Sequence, residues 1–230
     1  MNLKIKLLLL FILLFFVQSI YSLEITAIKA EGYFRGEHTR ASHYSSEISA
    51  IGAVELNEKY TLRCGISIGR TLVDTSLDIS LNANYSPFLN LPLCFSAIYF
   101  YNTFLEYHIH THSIFPFISY NTDRAGISAG INFRFSRFFG EKAQFESIFT
   151  LLCYFTFINN DMLTLRAGFG NFNEFNGKNF GAFSYYLNAQ IRLSDNLRLI
   201  NQIELMQSGI DGLSATFFGM AFRLGVRYIW

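Results

Sequence analysis

Four side chains of the kind that bind metal ions occupy every second position of the segment EYHIHTHS: Glu106, His108, His110 and His112. In an extended chain, residues two apart share a face and lie about 7 Å apart, so a bend would let two imidazoles share one ion. A complete site also needs a third ligand and supporting hydrogen bonds. The sequence therefore favours a polar rim where an inward-facing strand runs into a loop. A metal site at His108, His110 and His112 is the alternative, and no cofactor is expected.

Two serine–histidine pairs raise the question of a hydrolase: Ser113 follows His112, and Ser42 precedes His43. A serine nucleophile needs a histidine within hydrogen-bonding distance to take its proton. Adjacent residues of a strand point in opposite directions, and no G-x-S-x-G segment is present. We therefore expect a protein that is not an enzyme, and keep a barrel that hydrolyses lipid as a further alternative. Three cysteines at unrelated spacings predict neither a disulfide framework nor a zinc site.

Charged residues recur on the polar face of segments that alternate between apolar and polar positions. In KYTLRCGISIGR the apolar face runs from Tyr60 to Ile68, and Arg63 lies among small residues on the other face. Charge in the middle of a strand suits the lumen of a barrel better than the outer surface of a sandwich. Parity predicts the following lumen-lining residues: Arg63, Asp78, Glu106, Arg134, Glu146, Arg166, Arg192, Arg198, Glu204, Arg223 and Arg227. Two hypotheses follow: the charges pair and fill the lumen, or surplus arginine favours anions in a water-filled path.

The elements that position these charges are predicted to be strands, because apolar and polar residues alternate along most of the chain after residue 22. Turn residues divide it into twelve: 25–35, 45–56, 59–70, 74–85, 93–109, 113–121, 124–137, 143–157, 162–171, 179–193, 196–207 and 214–230. Several exceed the length usual in soluble sheets and suffice for a tilted membrane span. The segment with Pro116 is the doubtful strand, since proline cannot donate to a ladder. Ten strands are the alternative if it folds over as a loop, and eight are disfavoured.

The start of the chain and its amino-acid composition limit which class of protein this can be. Residues 1–22 have two lysines, an apolar core from Leu7 to Val17 and small residues at the end, which predicts a secretory signal peptide. Residues 23–230 then form a single domain. With 18 Lys+Arg against 17 Asp+Glu, no basic surface for nucleic acid is indicated. The chain has 26 Phe and 13 Tyr but no later apolar run long enough for a spanning helix, so its apolar surface is dispersed.

The last twelve residues, GMAFRLGVRYIW, place large apolar side chains at alternate positions and end on the one tryptophan of the chain. This pattern resembles the C-terminal signature of bacterial outer-membrane β-barrel proteins, carried here by Met220, Phe222, Leu224, Val226, Tyr228 and Trp230. The resemblance is to a broad class. It implies export, insertion by the outer-membrane assembly machinery and a closed antiparallel transmembrane barrel surrounded by outer-membrane lipid. Closure is also a physical requirement, since an open sheet edge in hydrocarbon leaves backbone groups unpaired.

The function that we expect is a small passive channel for polar or anionic solutes, with an arginine-rich lumen. A structural or adhesin barrel with a filled lumen is the alternative. The width of the lumen separates the two, because side chains fill a barrel of about eight strands whereas larger barrels can leave a passage.

Overall fold

The computed structural model describes residues 24–39, 43–56, 59–88, 91–172, 179–208 and 216–230. The predicted signal peptide at 1–22 lies outside this range. The described residues form twelve strands: β1 (Ile25–Thr39), β2 (His43–Leu56), β3 (Tyr60–Thr71), β4 (Thr75–Tyr85), β5 (Leu93–Phe104), β6 (Ile109–Asn121), β7 (Ala125–Arg137), β8 (Gln144–Asn159), β9 (Leu163–Phe172), β10 (Asn179–Arg192), β11 (Leu197–Ser208) and β12 (Thr216–Ile229). No helix among them is long and apolar enough to cross a membrane.

Each strand pairs antiparallel with its neighbours in sequence, and β12 closes the barrel against β1. The closing seam runs from Lys29 opposite Ile229 to Thr39 opposite Gly219. One further backbone hydrogen bond, from Trp230 N to Ile28 O (2.9 Å), extends it to the last residue. The predicted fold, a closed antiparallel barrel of twelve strands, is therefore confirmed.

The strand with Pro116 belongs to the barrel, which settles the choice between ten and twelve strands. Pro116 lies opposite Ala97 of β5, and its ring is on the outer face. The ladder to β7 pairs Ile114 with Phe133 and then Phe117 with Gly130, so it skips the proline. The missing N–H thus interrupts one ladder locally without ending the strand.

The connections define two ends of the barrel. At the terminal end, where Ile25 and Ile229 lie, the strands are joined through residues 57–59, 86–92, 122–124, 160–162 and 193–196. At the loop end the connections are residues 40–42, 72–74, 105–108, 138–143, 173–178 and 209–215. Three of the loop-end connections, residues 40–42, 173–178 and 209–215, lie outside the described part of the chain.

The outer wall is apolar around the barrel. Outward side chains such as Leu62, Ile66, Leu81 and Leu187 are about half exposed, although they alternate with buried inward residues. The six residues of the terminal signature all face outward. In water this surface would be unfavourable, whereas it suits the hydrocarbon of a bilayer. Cys64, Cys94 and Cys153 form no disulfide, and Cys64 is exposed on this wall.

Candidate functional site: the barrel lumen

Ten of the eleven charges that parity assigned to the lumen do project into it. Several form ion pairs there: Arg63 and Arg227 with Glu31, Arg134 with Glu146, and Arg223 with Glu204. Asp78 is buried against Ser67 and Asn102. Arg166 lies over the inward ring of Tyr154, with Cζ 4.0 Å from its centroid, and Arg192 and Arg198 line a recess at the terminal end.

Glu106 is the exception, because β5 ends at Phe104 and not at residue 109 as predicted. Its carboxylate accepts hydrogen bonds from Arg70 Nη1 (2.9 Å), Thr75 N (2.6 Å) and Thr75 Oγ1 (3.0 Å) at the exposed loop end. Asp74 of the neighbouring turn accepts in return from the backbone N of Glu106 (3.0 Å). Hydrogen bonding to Asp74 and from Thr75 lowers the pKa of Glu106 to about 2. Glu106 therefore joins two turns and does not line the lumen.

The predicted inward position of the histidines is also wrong. His108 lies in the 105–108 turn, with φ 52°, against Phe139. His110 and His112 lie on β6 but face outward, because the turn shifts the parity of the strand that follows. Among the described residues, no group of three or more His, Cys, Asp or Glu side chains could hold a metal ion. Ser113 is buried in the lumen while His112 is outside, so the wall of the barrel separates this pair; Ser42 and the side chain of His43 lie outside the described part.

Sequence reasoning missed six lumen charges on the first two strands: Lys29, Glu31, Arg35, Glu37, Glu47 and Glu55. They face inward because residues directly opposite each other on neighbouring strands share a face, and each of the six lies opposite inward-facing residues of β12, β1, β2 or β3. On the outward face of β1, Ala30, Gly32 and Gly36 interrupt the large apolar residues Ile28 and Phe34, so the alternation that marked other strands was weaker there. The available signal was the polar face of β1, where Lys29, Glu31, Arg35 and Glu37 share one parity with Tyr33.

With these residues included, the lumen is nearly balanced overall but its charges are separated along the axis. The terminal half carries Lys29, Arg63, Arg166, Arg192, Arg198 and Arg227 against Glu31 and Glu55. The centre and the loop half carry Arg35, Arg134 and Arg223 against Glu37, Glu47, Asp78, Glu146 and Glu204. The predicted arginine surplus is therefore confined to one end, and the other end has a surplus of carboxylates.

Apolar side chains fill the lumen at mid-height. Ile98, Phe100, Phe115, Leu152 and Tyr186 form one buried cluster, with Phe117 and Tyr154 packed against it. These residues come from β5, β6, β8 and β10, which are not all neighbours, so their side chains meet inside the lumen. A second cluster of Tyr33, Ile51 and Ile200 lies on the wall of β1, β2 and β11. We call the first cluster, centred on Phe115 (1% exposed), the constriction.

A vestibule of about 400 Å³ opens between the constriction and the terminal end. Its floor includes Ile98, Phe117 and Leu152, and its walls carry Arg63 and Arg166. The remaining lining is rich in small hydroxyl and amide side chains: Thr61, Asn82, Asn84, Ser86, Ser96, Ser119, Asn121 and Ser128. Arg166 and Arg198 form no ion pair with another described residue, and their Nε atoms have no hydrogen-bond partner there.

Comparison with solved structures identifies the fold. An outer-membrane channel from Pseudomonas putida F1 matches with a TM-score of 0.58 at 11% identity, over 90% of this chain and 96% of that one. The KdgM porin in complex with oligogalacturonate matches with a TM-score of 0.57 at 10% identity, over 86% and 98%. The translocator domain of the autotransporter NalP from Neisseria meningitidis matches with a TM-score of 0.53 at 13% identity, over 92% and 91%. This chain thus has the fold of bacterial outer-membrane β-barrels, as the resemblance implied.

No protein-family profile and no curated protein sequence matches the chain.

Proposed function

We propose that this protein is an outer-membrane barrel that conducts small anionic solutes through a narrow lumen. Its apolar outer wall, closed sheet and predicted signal peptide support the location. Channels and porins among the barrels of similar fold support conduction as a use of this architecture.

The observation that carries the proposal is the set of arginines at the terminal half of the lumen. A buried guanidinium normally has a carboxylate partner, because an unpaired buried charge is costly. Arg166 and Arg198 have none among the described residues, and they face cavities of about 400 and 270 Å³ whose polar lining consists largely of hydroxyl and amide side chains. Such cations raise the local concentration of anions at the mouth and lower the barrier to their entry.

A structural barrel is the second candidate, and the filled mid-section favours it. Phe115, Ile98 and Leu152 of the constriction are between 1 and 4% exposed, so in this proposal a solute passes only if the constriction opens. The two proposals therefore differ in one point. In a channel the Phe115 cluster opens to let solutes pass, whereas in a structural barrel it stays closed as a packed core.

Planar-bilayer recording of the refolded protein tests the channel directly. We expect small conductance steps with anion selectivity, since the constriction restricts the path. Phe115→Ala should enlarge the steps severalfold, because it removes the ring at the centre of the cluster.

Phe149→Ala is the matched control, because Phe149 lies on the outer wall at 62% exposure and contributes nothing to the lumen. It should leave the conductance at the wild-type value. If neither the wild type nor Phe115→Ala conducts although both are inserted, the channel proposal is wrong and the structural barrel stands.

A further inference from the structure

The outward-facing histidines form a defined cluster near the loop end of the wall. The Tyr99 hydroxyl is 2.9 Å from His112 Nδ1, and the Tyr101 hydroxyl is 3.0 Å from His110 Nδ1. The Tyr101 ring also contacts the His112 ring, with centroids 4.9 Å apart. Both imidazoles are exposed but held in place from β5.

The tyrosine contacts occupy Nδ1 of each histidine and leave Nε2 for another partner. With the phenol as donor, Nδ1 is the acceptor, and the proton of a neutral imidazole is then on Nε2. In that tautomer each ring offers an Nε2–H donor away from its tyrosine. Two such donors on alternate positions of one strand suit an acceptor with several oxygens.

Arg137 adds a permanent charge to the same place. It lies directly opposite His110 across the β6–β7 pair and is exposed on the outer face. It has no ion pair or hydrogen bond with another residue that the structure describes. We call His110, His112 and Arg137 the histidine patch. Its combination of N–H donors and a guanidinium is typical of phosphate recognition.

An apolar groove of about 780 Å³ continues from the patch along the outer wall. It includes Tyr99, which holds His112, and Ile114 on the same face of β6. From there it follows one row of cross-strand neighbours, Leu81, Cys64, Gly52 and Ala30, toward Trp230. The small side chains at Gly52 and Ala30 leave the wall concave.

We propose that the histidine patch binds the phosphate of a membrane lipid in the leaflet at the loop end, one of whose acyl chains lies in this groove. The inference rests on the proposed outer-membrane location but not on conduction. A lipid suits the site better than free phosphate because the polar donors adjoin apolar surface, including Ile114, Phe133 and Phe135 on neighbouring strands. A phosphate held there is anchored by both its charge and its chain.

The test measures binding of dioleoyl phosphatidic acid to the refolded protein in maltoside micelles by native mass spectrometry, with dioleoyl glycerol and inorganic phosphate as comparison ligands. We expect the phosphatidic acid to bind more tightly than either. Replacing His110, His112 and Arg137 together by glutamine should weaken its binding at least about tenfold, as the loss of charged hydrogen bonds predicts. Gly52→Leu should weaken it as well, by filling the groove; a Cβ there meets only Cys64 Sγ at 3.7 Å, so the fold tolerates it.

Arg124→Gln, at an exposed position of the terminal end, removes the same charge elsewhere and should bind like the wild type. Equal affinity of the triple variant and the wild type would overturn the proposal, as would inorganic phosphate that binds as tightly as the lipid. Heat-modifiable gel mobility verifies that each variant is folded. Conductance of the same preparations separates the two proposals, since a non-conducting protein with intact lipid binding counts against the channel alone.

Discussion

Two buried carboxylates each hold two lumen arginines. Glu31 accepts from Arg227 Nε at 2.7 Å and lies 3.5 Å from Arg63, while Glu204 lies 3.2 Å from Arg35 and 3.9 Å from Arg223. Gln202 donates to Glu204 as well, at 2.7 Å. Each of these acids thus partly neutralises two buried or half-buried arginines, which lowers the cost of burying their charge. Arg166 and Arg198 lie outside these two networks and line the vestibule and the terminal recess, where they can meet a solute.

The direction of each side chain can be tested on adjacent residues of one strand. Leu81 lies near the middle of β4 and faces outward, whereas Asn82 lines the vestibule. Leu81→Arg should lower the free energy of unfolding in lipid vesicles by about 2–4 kcal/mol, because it places a charge in the hydrocarbon. Asn82→Arg should cost far less, since the vestibule admits water. Urea titration of both variants measures the difference, and equal losses would show that no bilayer surrounds this wall.

At the scale of the elements, the turns after β3 and β5 are joined by reciprocal carboxylate contacts. Because the pKa of Glu106 is lowered to about 2, its contribution to the order of these turns is complete above its unfolded pKa of about 4.3. That contribution is lost as the pH falls through about 2. Backbone order parameters of Thr75, measured by NMR in micelles, should therefore fall on acidification between these values.

Glu106→Gln should lower the same order parameters already at neutral pH and flatten their pH dependence. Glu141→Gln, in the exposed 138–143 turn, is the control and should change neither. An unchanged profile in Glu106→Gln would assign the acid transition to another group.

The last strand closes the barrel, and its terminal residue can be removed without altering a lumen group. Trp230 packs edge-on against Tyr228 at 4.7 Å and donates one backbone hydrogen bond to β1. If its aromatic end is the assembly signal, deletion of Trp230 should reduce the inserted fraction severalfold. Trp230→Phe should restore insertion, because the requirement is an apolar ring. Fractionation with heat-modifiability gels measures both; normal insertion of the deletion variant would refute the signal.

At the scale of the whole molecule, the separation of charge along the axis predicts how the lumen selects ions. In the Phe115→Ala background, Arg166→Gln with Arg198→Gln should lower the anion-to-cation permeability ratio severalfold, because the terminal mouth loses its unpaired cations. Glu37→Gln, in the other half, should raise the ratio. Reversal potentials across a salt gradient measure both changes. If the two variants leave the ratio unaltered, the current does not pass through this lumen.

The sequence by itself determined the fold class, the strand number and most lumen charges. A strand of a membrane barrel alternates between an apolar outer face and a polar inner face. This alternation can be recognised in the sequence where the outer residues are large and apolar, as in β3, β4 and β12. The pattern is weaker where small residues such as Gly32, Gly36 and Ser46 interrupt the outer face, and Glu31, Arg35 and Glu47 were missed there. The pattern also fails where a turn ends one strand and the next strand places the opposite set of alternate residues inside. For this reason Glu106, His110 and His112 were wrongly assigned to the lumen.

Only the tertiary structure decided which side chains meet across the lumen and across neighbouring strands. Parity places Phe100, Phe115, Leu152 and Tyr186 inside but cannot show that they converge, because contact depends on the register and tilt of strands far apart in sequence. The same holds for the segregation of charge, which appears only when every strand is aligned along one axis. The filled centre, the open arginine vestibule and the outward histidine patch are consequences of that alignment.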